Sequence, residues 1–266
     1  MTFLSRQINR LSTGNWRDRM SHPLFDNLPR IIGHRGACGH APENTLASIR
    51  KAAELGARFI EIDVTLTSDN VAVIQHDTGL NRCTNGKGPI ILTPLEEVKK
   101  LDAGGWFSDE FKGETVPTLR EAVDLIHELG LGLNLEIKPS RGWQVPTATQ
   151  VCCELASYAP EDMPLLFSSF DPEALVIARD MMPDVPRGYL TETIFPDWKK
   201  RLDDLGCEAL HCEKYFVTKE KVAEIKSAGY KLLVYTVNDP EMGKCFLDWG
   251  VDAIITDFPD RIGNIL

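Results

Sequence analysis

From about residue 30 onward, short apolar and β-branched runs alternate with stretches whose apolar positions recur at helical spacing. The short runs fall at 30–34, 57–66, 71–76, 131–138, 164–169, 187–190, 208–212, 231–237 and 251–256, and each predicts a strand. Helical patterns fall between most of them: 44–55, with Asn44 as N-cap after Pro42-Glu43; 118–129, stopped by Gly130; 172–182; 218–228, followed by Gly229; and 239–249, followed by Gly250. Strands separated by helices predict parallel pairing with crossover connections. The run at 71–76 is the exception, because only Thr67-Ser68-Asp69-Asn70 separates it from the strand before. Four residues suit a hairpin and are too few for a parallel crossover. With that run set aside as an antiparallel return, the remaining strands make an α/β fold, a (β/α)8 TIM barrel. The segment at about 77–117, rich in glycine and with a short helical piece at 94–101, reads as a small insertion beside the barrel mouth. The whole chain, 1–266, is expected to form one domain, with 1–29 as an N-terminal arm.

Composition narrows the partners. A net charge of −10 excludes nucleic acid as an expected partner and argues against stable association with anionic membranes. It leaves room for a small anionic substrate, since a few local cations reverse the field within one cleft. No apolar run approaches the ~20 residues that span a bilayer. The N-terminal 20 residues lack the apolar core and cleavage site of a secretory signal; their apolar positions Phe3, Leu4, Ile8 and Leu11 suit a short amphipathic helix or a packed arm. Seven cysteines in no metal-binding or disulfide spacing predict reduced thiols and a cytoplasmic protein. Oligomeric state is not legible in the sequence.

The chemistry gathers where apolar strands abruptly become ionisable: Gly33-His34-Arg35-Gly36, Glu61-Ile62-Asp63, His76-Asp77 and Glu136-Ile137-Lys138. In such a barrel the C-terminal strand ends build the active site. Glu61 and Asp63 share one face of their strand, Ile60, Ile62 and Val64 take the other, and Glu136 and Lys138 repeat the spacing. Three converging carboxylates call for protons or a hard cation of the Mg2+, Ca2+ or Mn2+ type. A set of ion pairs with Arg35 and Lys138 is the alternative, and strand positions alone leave both open. The hairpin return places His76 beside residues 61–63. His34 and His76 then bracket the carboxylates as a general base and a general acid, while Arg35 and Lys138 suit phosphodiester oxygens. His211 is expected to pack, Asp257 to cap the last helix, and Asp171 and Asn238 to cap theirs or line the pocket.

Seven motifs in order carry a resemblance: His34-Arg35-Gly36, Pro42-Glu43-Asn44-Thr45, Glu61-Ile62-Asp63, His76-Asp77, Glu136-Ile137-Lys138-Pro139, Tyr235-Thr236-Val237-Asn238 and Ile255-Thr256-Asp257. From about residue 30 to the end, the chain resembles the glycerophosphodiester phosphodiesterases, most of all the cytosolic bacterial members. The resemblance implies metal-dependent hydrolysis of glycerophosphodiesters, such as glycerophosphocholine, to sn-glycerol 3-phosphate and an alcohol. It implies His34 and His76 as the catalytic pair, Glu61, Asp63 and Glu136 as ligands of one Mg2+ or Ca2+, and Arg35 and Lys138 as substrate-binding cations. It assigns no role to the N-terminal arm.

Overall fold

The computed structural model describes residues 22–263; the N-terminal apolar positions Phe3, Leu4, Ile8 and Leu11 lie outside the described residues. The strands are β1 (Ile31–His34), β2 (Phe59–Leu66), β3 (Ala72–Ile74), β4 (Gly132–Ile137), β5 (Leu165–Ser169), β6 (Arg187–Thr191), β7 (Ala209–Glu213), β8 (Lys231–Tyr235) and β9 (Ala253–Thr256). All nine apolar runs are therefore strands. The sheet order is β1-β9-β8-β7-β6-β5-β4-β2-β3, and a further β1–β2 pairing closes it into a TIM barrel. Every pairing is parallel except β2–β3, where Val64 faces Ile74. β3 is thus the hairpin return outside the closed barrel, three residues long and shorter than the run that predicts it.

The helices are α1 (Leu46–Glu54), α2 (Leu95–Val98), α3 (Leu119–Glu128), α4 (Gln144–Tyr158), α5 (Pro172–Met181), α6 (Trp198–Leu205), α7 (Lys219–Ser227), α8 (Pro240–Trp249) and α9 (Pro259–Gly263). α3 begins at a reciprocal capping box between Thr118 and Glu121. Two of the helices, α4 and α6, fall in connections to which the pattern assigns none. α4 carries Pro146 in its first turn, where proline is tolerated but looks like a breaker, and its many β-branched residues blur the helical period. α6 is strongly charged and buries only Trp198, Leu202 and Leu205. Its exposed face is laced by Asp197–Arg201, Lys199–Asp203 and Lys200–Asp204 pairs one turn apart.

Alternation along the strands sorts two cores. Outward-facing Ile60, Ile62, Val64, Leu133, Leu135 and Ile137 pack under α1, α3, α4 and α5. Inward-facing Ile32, Phe59, Leu166, Ala209, Leu233, Ala253 and Ile255 fill the barrel, with Phe25 closing its N-terminal end. Burying each such isoleucine or leucine contributes roughly 2 kcal/mol. Filling the interior with large groups demands space elsewhere: a Cβ on Gly188 would lie 2.2 Å from Nε2 of His211, whose ring occupies that gap. His211 is accordingly a fully buried packing residue, and burial pushes its imidazole down to about 3. The insertion has its own small core of Val73, Leu80, Ile90, Val98, Ala103 and Val116.

Candidate active site

Strand register brings the ionisable strand ends together. His34 pairs with Glu61 across β1–β2, and Asp63 with Glu136 across β2–β4. The hairpin return delivers His76: the Gln75 N–H donates to the Asp63 carbonyl at 3.0 Å. His34, Arg35, Glu61, His76, Glu136 and Lys138 line one cavity of about 170 Å3 with Asn134, Ser168, Phe170 and Tyr235, and Asp63 lies just behind them. A wider groove of about 670 Å3 lies at the opposite barrel end, among Leu24, Phe59, Met163 and Val185. It is larger, but chemistry in this architecture belongs to the C-terminal strand ends, where the smaller cavity sits.

One carboxylate oxygen each from Glu61, Asp63 and Glu136 lies within 4.8 Å of the other two, in a buried cluster. Burial, then the charges of Asp63 and Glu136, push Glu61 well above the usual carboxylate range. Burial and Asp63 push Glu136 up to about 7. Asp63 moves the other way: Arg35, Lys138 and His76 outweigh its burial. Burial and mutual repulsion therefore oppose three simultaneous negative charges in the cluster. Glu61 Oε1 is buried without a hydrogen-bond partner, a lone pair aimed at nothing in the protein. Three oxygen donors and one orphaned lone pair fit a hard divalent cation.

Around the cluster, Lys138 Nζ lies 3.2 Å from Glu136 Oε1 and 3.7 Å from Asp63 Oδ1, and donates to His76 Nε2 at 2.9 Å. An ammonium only donates, so His76 Nε2 carries the lone pair and Nδ1–H donates to Asp77 Oδ1 at 2.6 Å. Burial, with Arg35 and Lys138, holds the His76 pKa below the ordinary imidazole value despite Asp63 and Asp77. Across the cavity, His34 Nδ1 lies 2.6 Å from Asp257 Oδ1, and its Nε2 is 3.9 Å from Glu61 Oε2. Arg35 Nη1 donates to Glu43 at 2.7 Å, and Arg35 Nε lies 3.5 Å from Asp63.

The β1–α1 loop owes its shape to three residues in the left-handed region, Arg35 (φ 49°), Gly36 (φ 85°) and Asn44 (φ 58°). A Cβ at Gly36 would sit 2.4 Å from Ser48 Oγ on α1, so only glycine lets the loop close. That turn aims the Arg35 backbone N–H at Glu61 Oε2, 3.1 Å away.

Three expectations need correction. Asn44 is not the α1 cap; Thr45 caps it. Asn44 adopts φ 58° instead, donates from Nδ2 to Asp63 Oδ2 at 2.8 Å and accepts from the Asp63 N–H at 3.2 Å. Asp257 spends its carboxylate not on a helix end but on His34, on the Cys38 thiol at 2.9 Å and on Asn238 Nδ2 at 2.6 Å. Asp171 does cap its helix, α5, whereas Asp239 rather than Asn238 caps α8. Two signals pointed to Asp257: its motif Ile255-Thr256-Asp257 among those carrying the resemblance, and its position at the end of a final strand, which a barrel sets beside the first.

A profile of the Glycerophosphoryl diester phosphodiesterase family matches residues 34–261. The chain belongs to that family. A glycerophosphodiester phosphodiesterase of Caldanaerobacter subterraneus subsp. tengcongensis is 35% identical over 237 residues, covering 89% of this chain and 97% of its own. A phosphodiesterase of Oleispira antarctica, solved with the product sn-glycerol-3-phosphate, superposes with a TM-score of 0.90 at 44% identity over 91% of this chain and 98% of that one. The glycerophosphodiester phosphodiesterase of Agrobacterium tumefaciens superposes at 0.74 with 28% identity, over 89% and 100%. Membership makes the protein a phosphoric diester hydrolase, a glycerophosphodiester phosphodiesterase, and the strand-end cluster is its candidate active site.

Proposed function

We propose that the protein hydrolyses glycerophosphodiesters to sn-glycerol 3-phosphate and an alcohol, using His34 and His76 as a general acid–base pair. One observation carries the reading: each histidine has Nδ1 pinned by a carboxylate, and both line the same cavity, with the three-carboxylate cluster beside them. Glu61, Asp63 and Glu136 would hold one divalent cation, Mg2+ or Ca2+. When bound, such an ion supplies positive charge that offsets the phosphate's charge as the bond order at phosphorus changes. Arg35 and Lys138 bind the non-bridging phosphate oxygens; Lys138, now donating to His76, is within reach of a ligand in the same cavity. One histidine takes the proton from the attacking hydroxyl, either a water, which gives glycerol 3-phosphate directly, or the glycerol 2-hydroxyl, which gives a cyclic phosphate that water then opens to glycerol 3-phosphate. The other returns a proton to the departing alkoxide. Asp77 and Asp257 fix the ring orientations throughout.

The same reading treats residues 1–266 as one domain working in the cytoplasm. Seven unpaired cysteines support the compartment, and no helix among the described residues is long and apolar enough to cross a membrane.

The test is release of glycerol 3-phosphate from glycerophosphocholine by the purified protein, with EDTA, Mg2+ or Ca2+, beside His34→Ala and His76→Ala. Metal-stimulated release lost in both variants supports the reading. Release unaffected by EDTA removes the cation from it, and a cyclic phosphate as sole product replaces hydrolysis by transfer to the internal hydroxyl.

A further inference from the structure

We propose that Arg82, in the insertion, is the positioning residue that locks His76 and Arg35 into one constellation. The role rests on the functional reading above, because it assumes that both residues act on substrate.

Arg82 donates four hydrogen bonds from one guanidinium. Nη1 and Nη2 reach Glu43 Oε2 and Oε1 at 2.7 and 2.8 Å; Nε and Nη2 reach Asp77 Oδ2 and Oδ1 at 2.7 and 2.8 Å. Each carboxylate also holds one active-site group. Glu43 Oε1 accepts from Arg35 Nη1 at 2.7 Å, and Asp77 Oδ1 accepts from His76 Nδ1 at 2.6 Å. Arg82 Nη2 therefore donates to the same two oxygens that touch Arg35 and His76. Glu43 comes from the loop after β1 and Asp77 from the chain after β3, so the guanidinium ties together two segments that no strand pairing joins directly.

A planar fork is what this task requires. Two carboxylates approaching one point repel each other, and each has a free torsion that swings its oxygens away from Arg35 or His76. A bidentate guanidinium neutralises the repulsion and fixes both torsions at once, whereas a lysine ammonium offers one point charge and no plane. The Arg82 side chain is 45% exposed, so its ion pairs contribute little to global stability. Its effect falls on geometry, where a displacement of about 1 Å costs up to ~100-fold in rate.

The experiment uses the full-length protein and glycerophosphocholine, with Arg82→Ala, Arg82→Lys and Asp77→Asn/Arg82→Ala. Arg82→Ala is expected to lower kcat about 30-fold, through His76, and to raise KM about tenfold, through Arg35. Arg82→Lys recovers only a minor part of either. Added guanidinium ion partly restores Arg82→Ala while leaving wild type unchanged. The double variant is no worse than Arg82→Ala within about threefold, since Asp77 and Arg82 act as one unit. A readout independent of turnover accompanies these: the hydrogen-bonded Nδ1–H proton resonance of His76, identified by its loss in His76→Gln, broadens or vanishes in Arg82→Ala. Loss of that resonance in a protein that hydrolyses no glycerophosphodiester keeps the clamp and sinks the functional reading. Kinetic constants within threefold of wild type with the resonance unchanged overturn the clamp. So does an activity loss that guanidinium leaves alone and that a lowered melting temperature accounts for.

Discussion

The two histidines face the same cavity, and their supports differ. His34 leans on Asp257, which is itself held by Cys38 and Asn238, so its brace sits at the C-terminal ends of the adjacent strands β1, β9 and β8. His76 stands on a hairpin return outside the barrel and leans on Asp77, whose further support is Arg82, a half-exposed residue of the insertion. Asp257, Cys38 and Asn238 stand just beyond the ends of β9, β1 and β8, neighbouring barrel strands whose pairing brings them close. Asp77 follows a hairpin return tied to the barrel by the Gln75–Asp63 backbone hydrogen bond, and its carboxylate is held by the Arg82 side chain. The comparison teaches that two rings lining one cavity can depend on unequal support, one held by groups at adjacent barrel-strand ends and one by a carboxylate paired with an insertion arginine.

Removing the rings gives the largest expected effect. His34→Ala and His76→Ala should each lower kcat by about 1,000-fold or more in steady-state assays, near the upper part of the range for general acid–base groups. A variant retaining a tenth of wild-type kcat would remove that histidine from the pair.

Changing the braces separates the halves. Asp257→Asn should lower kcat about 100-fold, because its amide nitrogen must face either the Asn238 Nδ2 donor or His34 and Cys38, which forces a wrong rotamer or ring tautomer at His34. Asp77→Asn should cost about 30-fold, no less than Arg82→Ala, since Arg82 reaches His76 through this carboxylate and the more open position lets water compensate only in part. Equal losses would break the comparison.

Beside the two rings lies the carboxylate cluster, and pH reads it. The folded-state value of Glu136, about 7, lies above its ordinary value, so its proton stabilises the metal-free fold at low pH, and that contribution is lost as pH rises through 7. A cation that takes the proton's place should therefore stabilise more at higher pH. Differential scanning fluorimetry should show a Mg2+ or Ca2+ increment in Tm that grows between pH 5 and pH 8, reaching about 5 °C. An increment independent of pH would place the ion elsewhere.

The smallest effect sharpens the picture at His34. Cys38→Ser keeps a donor to Asp257 and should leave kcat within about threefold of wild type, whereas Cys38→Ala should fall between it and Asp257→Asn. An inactive serine variant would mean that the thiol itself does chemistry.

Much of the site was legible because β geometry is periodic. Once Glu61-Ile62-Asp63 and Glu136-Ile137-Lys138 read as strands, alternation alone put the charged residues on one face and the isoleucines on the other. The four-residue link before β3 placed His76 beside them, within the reach of a hairpin. The supporting groups were illegible for the opposite reason. Asp257 is 223 residues from His34, and Arg82 is 39 from Glu43. Their meeting depends on barrel closure and on how the insertion folds over the mouth, which no local period encodes. Asn44 looked like a cap because its type and position suit one; its left-handed backbone, fixed by the loop, turned the side chain to Asp63 instead.

The sequence by itself determined the alternation of strands and helices, the hairpin that interrupts it, and the seven ionisable groups that meet at the candidate site, because each follows from side-chain type at short, regular spacing. Tertiary structure alone decided what holds those groups still: Asp257 behind His34, Asn44 on Asp63, and Arg82 across Glu43 and Asp77. Orientation is set by contacts between segments far apart in the chain, and these exist only once the sheet has closed and the loops have packed upon it.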